Sequence, residues 1–133
     1  SWGRSCVLET GLAAEAGYLP VFCVANKFEG YLHWSWMNWA DNPLTDTRFR
    51  LFAPGDTYLI YPGPRSSVRY ERFIEGVAMA EKVRILREEY AAKGNNAALD
   101  ALNKQVEAFA PAGIPTGQTA AGLVNALQQL LNP

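Results

Sequence analysis

The amino-acid sequence predicts an α/β fold, and three observations carry that expectation. The short aromatic run Tyr31-Leu32-His33-Trp34-Ser35-Trp36 has the length and residue types of a strand. A polar, turn-rich stretch follows from 40 to 67. After it, residues 66–90 show the clearest helical periodicity in the chain. A strand that runs through aromatics into a polar loop and then a long helix is how parallel α/β structures deliver residues to a site, because ligands bind beyond the carboxyl ends of such strands.

The elements follow in order. Segment 8–30 is alanine-rich and apolar and ends in Lys27, Glu29 and Gly30, which suits a helix C-terminus, so a helix is expected over 13–27. Pro20 lies inside it and either starts the helix or kinks it. The run 31–36 reads as a strand buried on both faces, since neither alternate set of its side chains is polar throughout. Between 40 and 67 stand prolines 43, 54, 62 and 64 and glycines 55 and 63. Within this stretch "RFRLF" (48–52) and "DTYLIYP" (56–62) each read as a short strand, with "APGD" (53–56) as the turn of a hairpin.

Ser66 or Ser67 can cap the long helix. Phe73, Val77, Ala80, Val83, Leu86 and Tyr90 form its apolar band, while Glu71, Glu75, Lys82 and Glu89 mark a polar face. Gly94 and the two asparagines after it stop this helix and start another, with Leu99, Leu102, Val106 and Phe109 on one stripe. "PAGIPTG" connects to a last helix carrying Leu123, Val124, Leu127, Leu130 and Leu131 and ending at Asn132 and Pro133. No internal repeat or flexible linker divides the chain.

Composition narrows the function. Of the 133 residues 49% are apolar, 12% aromatic and 19% charged, which describes a globular domain rather than a disordered one. Twelve basic against thirteen acidic residues leave a formal charge of −1, so no field gathers phosphate backbones and nucleic acid is not an expected partner. Arg65, Arg69 and Arg72 interleave with Glu71 and Glu75, which fits a solvated helix face better than a basic patch. No apolar run approaches the ~20 residues of a membrane span. Cys6 and Cys23 define no disulfide framework. Cys23, within "PVFCVA", reads as a small buried hydrophobe, and a bridge between the two stays open.

Three of the four tryptophans fall between residues 34 and 39. An indole offers a broad apolar face to the C–H side of a sugar ring, with neighbouring polar groups left for the hydroxyls. Trp36, Trp39, Asn38 and Asp41 fit that division of labour. For Trp34 a buried cluster is the better reading. His33 reads as a hydrogen-bonded core histidine, and strand alternation sets it opposite Trp34 and Trp36. Asp41, Asp46 and Asp56 are loop carboxylates suited chiefly to organising turns. Glu88 and Glu89 are adjacent but diverge around a helix, so no catalytic carboxylate pair is evident. Nothing has the spacing of a metal site, a phosphate loop or a serine triad, and no cofactor is implied.

Taken together, "FEGYLHWSWMNWADNP", "GDTYLIYPGP" and "SSVRYERFIEGVAMAEKVRILREE" resemble the C-terminal part of glycoside hydrolase family 123 and its uncharacterised relatives, in the family's order, over residues 13–90. The resemblance implies a (β/α)8 barrel in which "GYLHWSW" is the last strand and "SSVRYERF" opens the last helix. Tyr61, Pro62 and Gly63 then match the family's "YPG" turn, and Arg69, Glu71, Glu75 and Gly76 its helix motif. It also implies hydrolysis of N-acetylhexosaminides by an adjacent aspartate and glutamate, assisted by the substrate's own acetamido group. That pair belongs to an earlier strand and is not present in this chain. His33 stands where the pattern has arginine, Glu29 replaces an aspartate, and Met79 replaces an acid.

A barrel of this kind needs ~250 residues. The expectation is therefore a single partial domain over 1–133, the C-terminal fragment of a barrel. Residues 13–90 give its closing helix, strand, inserted β-hairpin and helix, and 95–133 a C-terminal helical extension. The expected function is the C-terminal portion of a carbohydrate-active protein, with Trp36, Trp39, Asn38, Asp41 and Tyr61 contacting sugar and no catalytic acid. Its expected partners are carbohydrate and either the rest of the parent barrel or a second copy, which would cover exposed strand edges. A non-enzymatic carbohydrate-binding module built on Trp36, Trp39 and Tyr61, and a structural or interaction domain, are the alternatives.

Overall fold

A computed structural model of the chain describes residues 13–52 and 57–133. Four helices occur among them: α1 (Ala13–Ala25), α2 (Val68–Lys93), α3 (Asn96–Glu107) and α4 (Ala120–Leu131). The helix expected over 13–27 thus runs to Ala25 and carries Pro20 within it. Its end is closed by Lys27 N donating to Val24 O (3.1 Å) and Phe28 N to Cys23 O (2.9 Å). Lys27 stands in the left-handed conformation (φ 58°) that this closure usually assigns to glycine. Ser67 caps α2 by accepting from Tyr70 N, and Gly94 ends it at φ 65°. Asn95 and Thr119 cap α3 and α4 through their side-chain oxygens.

The core lies where α1 meets the other three helices. Tyr18, Val21, Val83, Val106, Phe109 and Leu127 are fully enclosed. Each such aliphatic side chain contributes about 1.5–3 kcal/mol by leaving water. The Tyr18 ring packs 4.7 Å from that of Phe109, and its hydroxyl donates to Phe109 O at 3.2 Å. Asn26 Nδ2 reaches both Phe22 O and Ala110 O, which fastens the end of α1 to the α3–α4 connection. Where α1 crosses α2, a Cβ placed on Gly76 would stand 2.5 Å from Gly17 O, so only glycine permits this approach. Cys23 is a free, buried thiol whose pKa burial pushes up. Cys6 and the "APGD" turn at 53–56 lie outside the described residues.

The expected α/β barrel fragment is not what forms. Among the described residues the fold is all-helical, with no strand and no sheet. Met37 with Tyr58, Phe49 with Phe52 and Tyr61 with Arg65 make isolated bridges only. A strand exists by lateral exchange of backbone hydrogen bonds, so residue type alone cannot create one. Here segment 57–60 touches the aromatic run at its end: Asn38 N donates to Thr57 O (3.0 Å), and Leu59 N and Ile60 N donate to Trp36 O (3.0 and 3.3 Å). Side chains do the remaining work, with Tyr31 and Trp36 laid against Phe73 and Tyr70 of α2. The "RFRLF" run does not extend into a hairpin arm but folds on itself, Phe52 N donating to Phe49 O at 3.1 Å.

Candidate saccharide-facing site

The loop face is positioned from the start of α2. Ser67 Oγ donates to Leu59 O (2.6 Å) while accepting from Tyr70 N, so one hydroxyl caps the helix and holds the 57–61 segment. Arg69 Nη2 donates to Tyr58 O at 3.0 Å. This arginine is therefore tied into the loop rather than standing on a solvated face. Tyr58 is fully buried, its hydroxyl donates to Pro43 O (2.9 Å), and burial raises its pKa. Thr57 is buried too; its carbonyl accepts from Ser35 Oγ and Asn38 N, while its Oγ1 has no hydrogen-bond partner among the described residues.

The sequence-derived site residues hang on this frame in different ways. The indole N–H of Trp39 donates to Ile60 O at 2.8 Å and leaves the ring 39% exposed. Asn38 is exposed, its backbone bonded to Thr57 and its amide side chain without a hydrogen bond among the described residues. Asp41 is exposed and takes no hydrogen bond or ion pair among the described residues. Tyr61 is half-buried, edge-on to Tyr58 at 5.1 Å, and its backbone pairs with Arg65 around Gly63 at φ 79°.

Trp36 is half-buried with three rings meeting it nearly at right angles: His33 at 5.9 Å, Tyr70 at 6.0 Å and Phe73 at 5.9 Å. His33 is buried and hydrogen-bonded through Nδ1 to Tyr31 Oη at 3.1 Å, as a core histidine should be. It is not opposite Trp36, because the backbone bends at 36 and strand alternation does not apply. Trp34 also departs from the expected buried cluster: it is 40% exposed and stacks on Phe52 at 4.9 Å.

Asp46 and Arg48 form an ion pair within the loop. Asp46 accepts from Arg48 N, Nε and Nη2, and these hydrogen bonds lower its pKa to about 2. Asp46 thus does turn duty, while Asp56 lies outside the described residues. No cluster of metal-ligating groups occurs among the described residues, and no helix there is long and apolar enough to cross a membrane. The loop exposes the Trp39 ring, the Asn38 amide and the Asp41 carboxylate.

Sequence reading overlooked Thr57, Tyr58 and Ser67 as the supports of this face. The signal was present only as "DTYLIYP" and a capping serine. It also missed an open groove of about 890 Å³ between α1 and α2, floored by Pro20, Val24, Phe73, Val77 and Ala80. This groove includes none of the five sequence-derived site residues.

Residues 10–86, more than half of the chain, fit the family model described as glycoside hydrolase 123, catalytic domain. The chain belongs to that family, and its origin is glycoside-hydrolase-like. A search of curated proteins finds no match. Helices α3 and α4 lie beyond the matched segment.

Proposed function

We propose that this chain is the carbohydrate-contacting portion of a glycoside hydrolase-like protein and that it holds no catalytic acid pair of its own. Trp39 is the platform, Asn38 and Asp41 take sugar hydroxyls, Tyr61 borders the same face, and Trp36 completes the aromatic set from beneath. Residues 13–90 present the face and 95–133 brace it. The observation that supports this most is Trp39: a half-exposed indole fixed by its N–H to Ile60 O, close in sequence to the exposed Asn38 and Asp41, whose side chains make no hydrogen bond or ion pair among the described residues.

Tryptophan fluorescence titration with N-acetylhexosaminides and oligosaccharides tests the reading. Binding is expected, and Trp39→Ala should weaken it roughly tenfold. Aryl N-acetylhexosaminides should be left intact by the isolated chain. Turnover that persists after Asp41→Asn and Asp46→Asn, or no emission change with any glycan, overturns it. The three rings around Trp36 favour a second reading, in which the aromatics are packing for an interaction domain. In that case acrylamide would quench Trp39 poorly and no glycan would bind.

A further inference from the structure

Trp34 takes no part in the proposed saccharide contacts, yet its setting is that of a ring platform. The indole lies on Phe52, with ring centroids 4.9 Å apart and planes 29° from parallel. Phe52 is backed in turn by Phe49 at 6.5 Å, and its N–H donates to Phe49 O at 3.1 Å, so the support is a stack closed by its own turn. No second ring meets Trp34 among the described residues, and 40% of the residue stays exposed. Its indole N–H makes no hydrogen bond among the described residues, whereas that of Trp39 is taken by Ile60 O. A tryptophan kept only for packing buries its ring and finds an acceptor for its N–H. Trp34 instead keeps ring surface and a donor within reach of a ligand.

Trp34 and Trp39 flank one fixed stretch of backbone. Between them Ser35 Oγ and Asn38 N both donate to Thr57 O, and Trp36 O accepts from Leu59 N. The two tryptophans stand five positions apart, so their Cα atoms are separated by at most about 18 Å, and the bends at 34 and 36 shorten that span. No ring contact joins the two indoles. A pyranose ring and an indole are similar in extent, so one monosaccharide covers one platform while a short oligosaccharide can reach both.

We propose that Trp34 is a second sugar-stacking platform, and that the ligand of this loop is an oligosaccharide spanning Trp39 and Trp34 rather than a single sugar. The inference rests on the saccharide reading of Trp39 and adds to it the length of the ligand. The exposed indole surface takes the C–H side of one sugar unit, and the Trp34 N–H donates to a hydroxyl of that unit or the next. Two weak contacts on one ligand reinforce each other, because the second forms at the high local concentration that the first creates.

Calorimetric titration of the full chain with glucose, galactose and N-acetylglucosamine, each beside its linear β-1,4-linked oligomers, is the test. Oligomers should bind about tenfold or more tighter than the corresponding monosaccharide. Trp34→Ala should erase that gain and leave the monosaccharide affinity unchanged, whereas Trp39→Ala should weaken both. Trp34→Phe keeps a ring on Phe52 and should retain part of the gain. Far-UV circular dichroism should match wild type in all three variants, since both tryptophans lie outside the helices. Equal affinity for monosaccharides and oligomers, or a chain-length gain that survives Trp34→Ala, overturns the proposal and leaves Trp39 standing as a platform. Failure of every glycan to bind overturns the proposal and the saccharide reading together.

Discussion

Replacing Gly76 with alanine probes the crossing on which the core depends. In an exposed helix the change stabilises by about 1 kcal/mol, because alanine is the better helix former. In α2 the new methyl would stand 2.5 Å from Gly17 O, where ordinary contact needs about 3.4 Å. The obstacle is backbone, which no rotamer change moves. The helices must part by roughly 1 Å, and the parting loosens Tyr18, Val21, Met79 and Val83 around the crossing. Overpacking of this kind costs about 1–3 kcal/mol, occasionally more, and the propensity gain offsets part of it. A net loss of ~1–2 kcal/mol is expected, equivalent to a fall in Tm of roughly 3–10 °C for a chain of this size. The assay is thermal and urea unfolding followed at 222 nm. Gly17→Ala is the graded control, since its Cβ would meet Arg72 O at the looser distance of 3.2 Å. If Gly76→Ala matched or exceeded wild type, or if Gly17→Ala were the more damaging, the close crossing would not be real.

Other perturbations follow from single positions. Lys27→Gly removes a left-handed lysine from the α1 closure and should raise stability by about 0.5–1 kcal/mol in urea unfolding. Ser67→Ala deletes the α2 cap and the tie to Leu59 O together; about 1–2 kcal/mol should be lost, with a shift in tryptophan emission as the 57–61 segment loosens. Glu15 has its pKa raised by burial, with Oε2 lacking a hydrogen-bond partner among the described residues. A carboxyl raised in the folded state opposes folding once the pH passes its unfolded value near 4.3 and does so most fully above the folded one. Glu15→Gln should therefore gain stability relative to wild type between pH 4 and 7, by less than ~1 kcal/mol because the group is partly solvated. Equal differences at the two pH values would refute this.

Much of the helical scaffold was legible in the residues themselves. Ser67 and Gly94 bound α2 where capping chemistry says they should, and Leu102, Val106 and Phe109 face the core at helical spacing. The candidate site was legible as residue types but not as an arrangement. Trp34, Trp36 and Trp39 look alike in sequence, yet one stacks on Phe52 near solvent, one is boxed in by three rings, and one is pinned by its N–H to Ile60 O. Apart from His33, the partners that make those differences lie 18 to 37 positions away along the chain. Alternation likewise misplaced His33 relative to Trp36, because it presumes an extended ladder that does not form.

By itself the sequence placed the Ser67 cap and the Gly94 stop of α2, the buried stripe of α3, and the family through the order of its three blocks. Helix hydrogen bonds close within four residues, and caps and stripes are equally local, so the chain states them directly. Only the tertiary structure decided that the aromatic run is not a strand and that Gly17 and Gly76 touch. A strand's hydrogen bonds and a helix crossing both require a partner distant in sequence, and composition cannot name that partner.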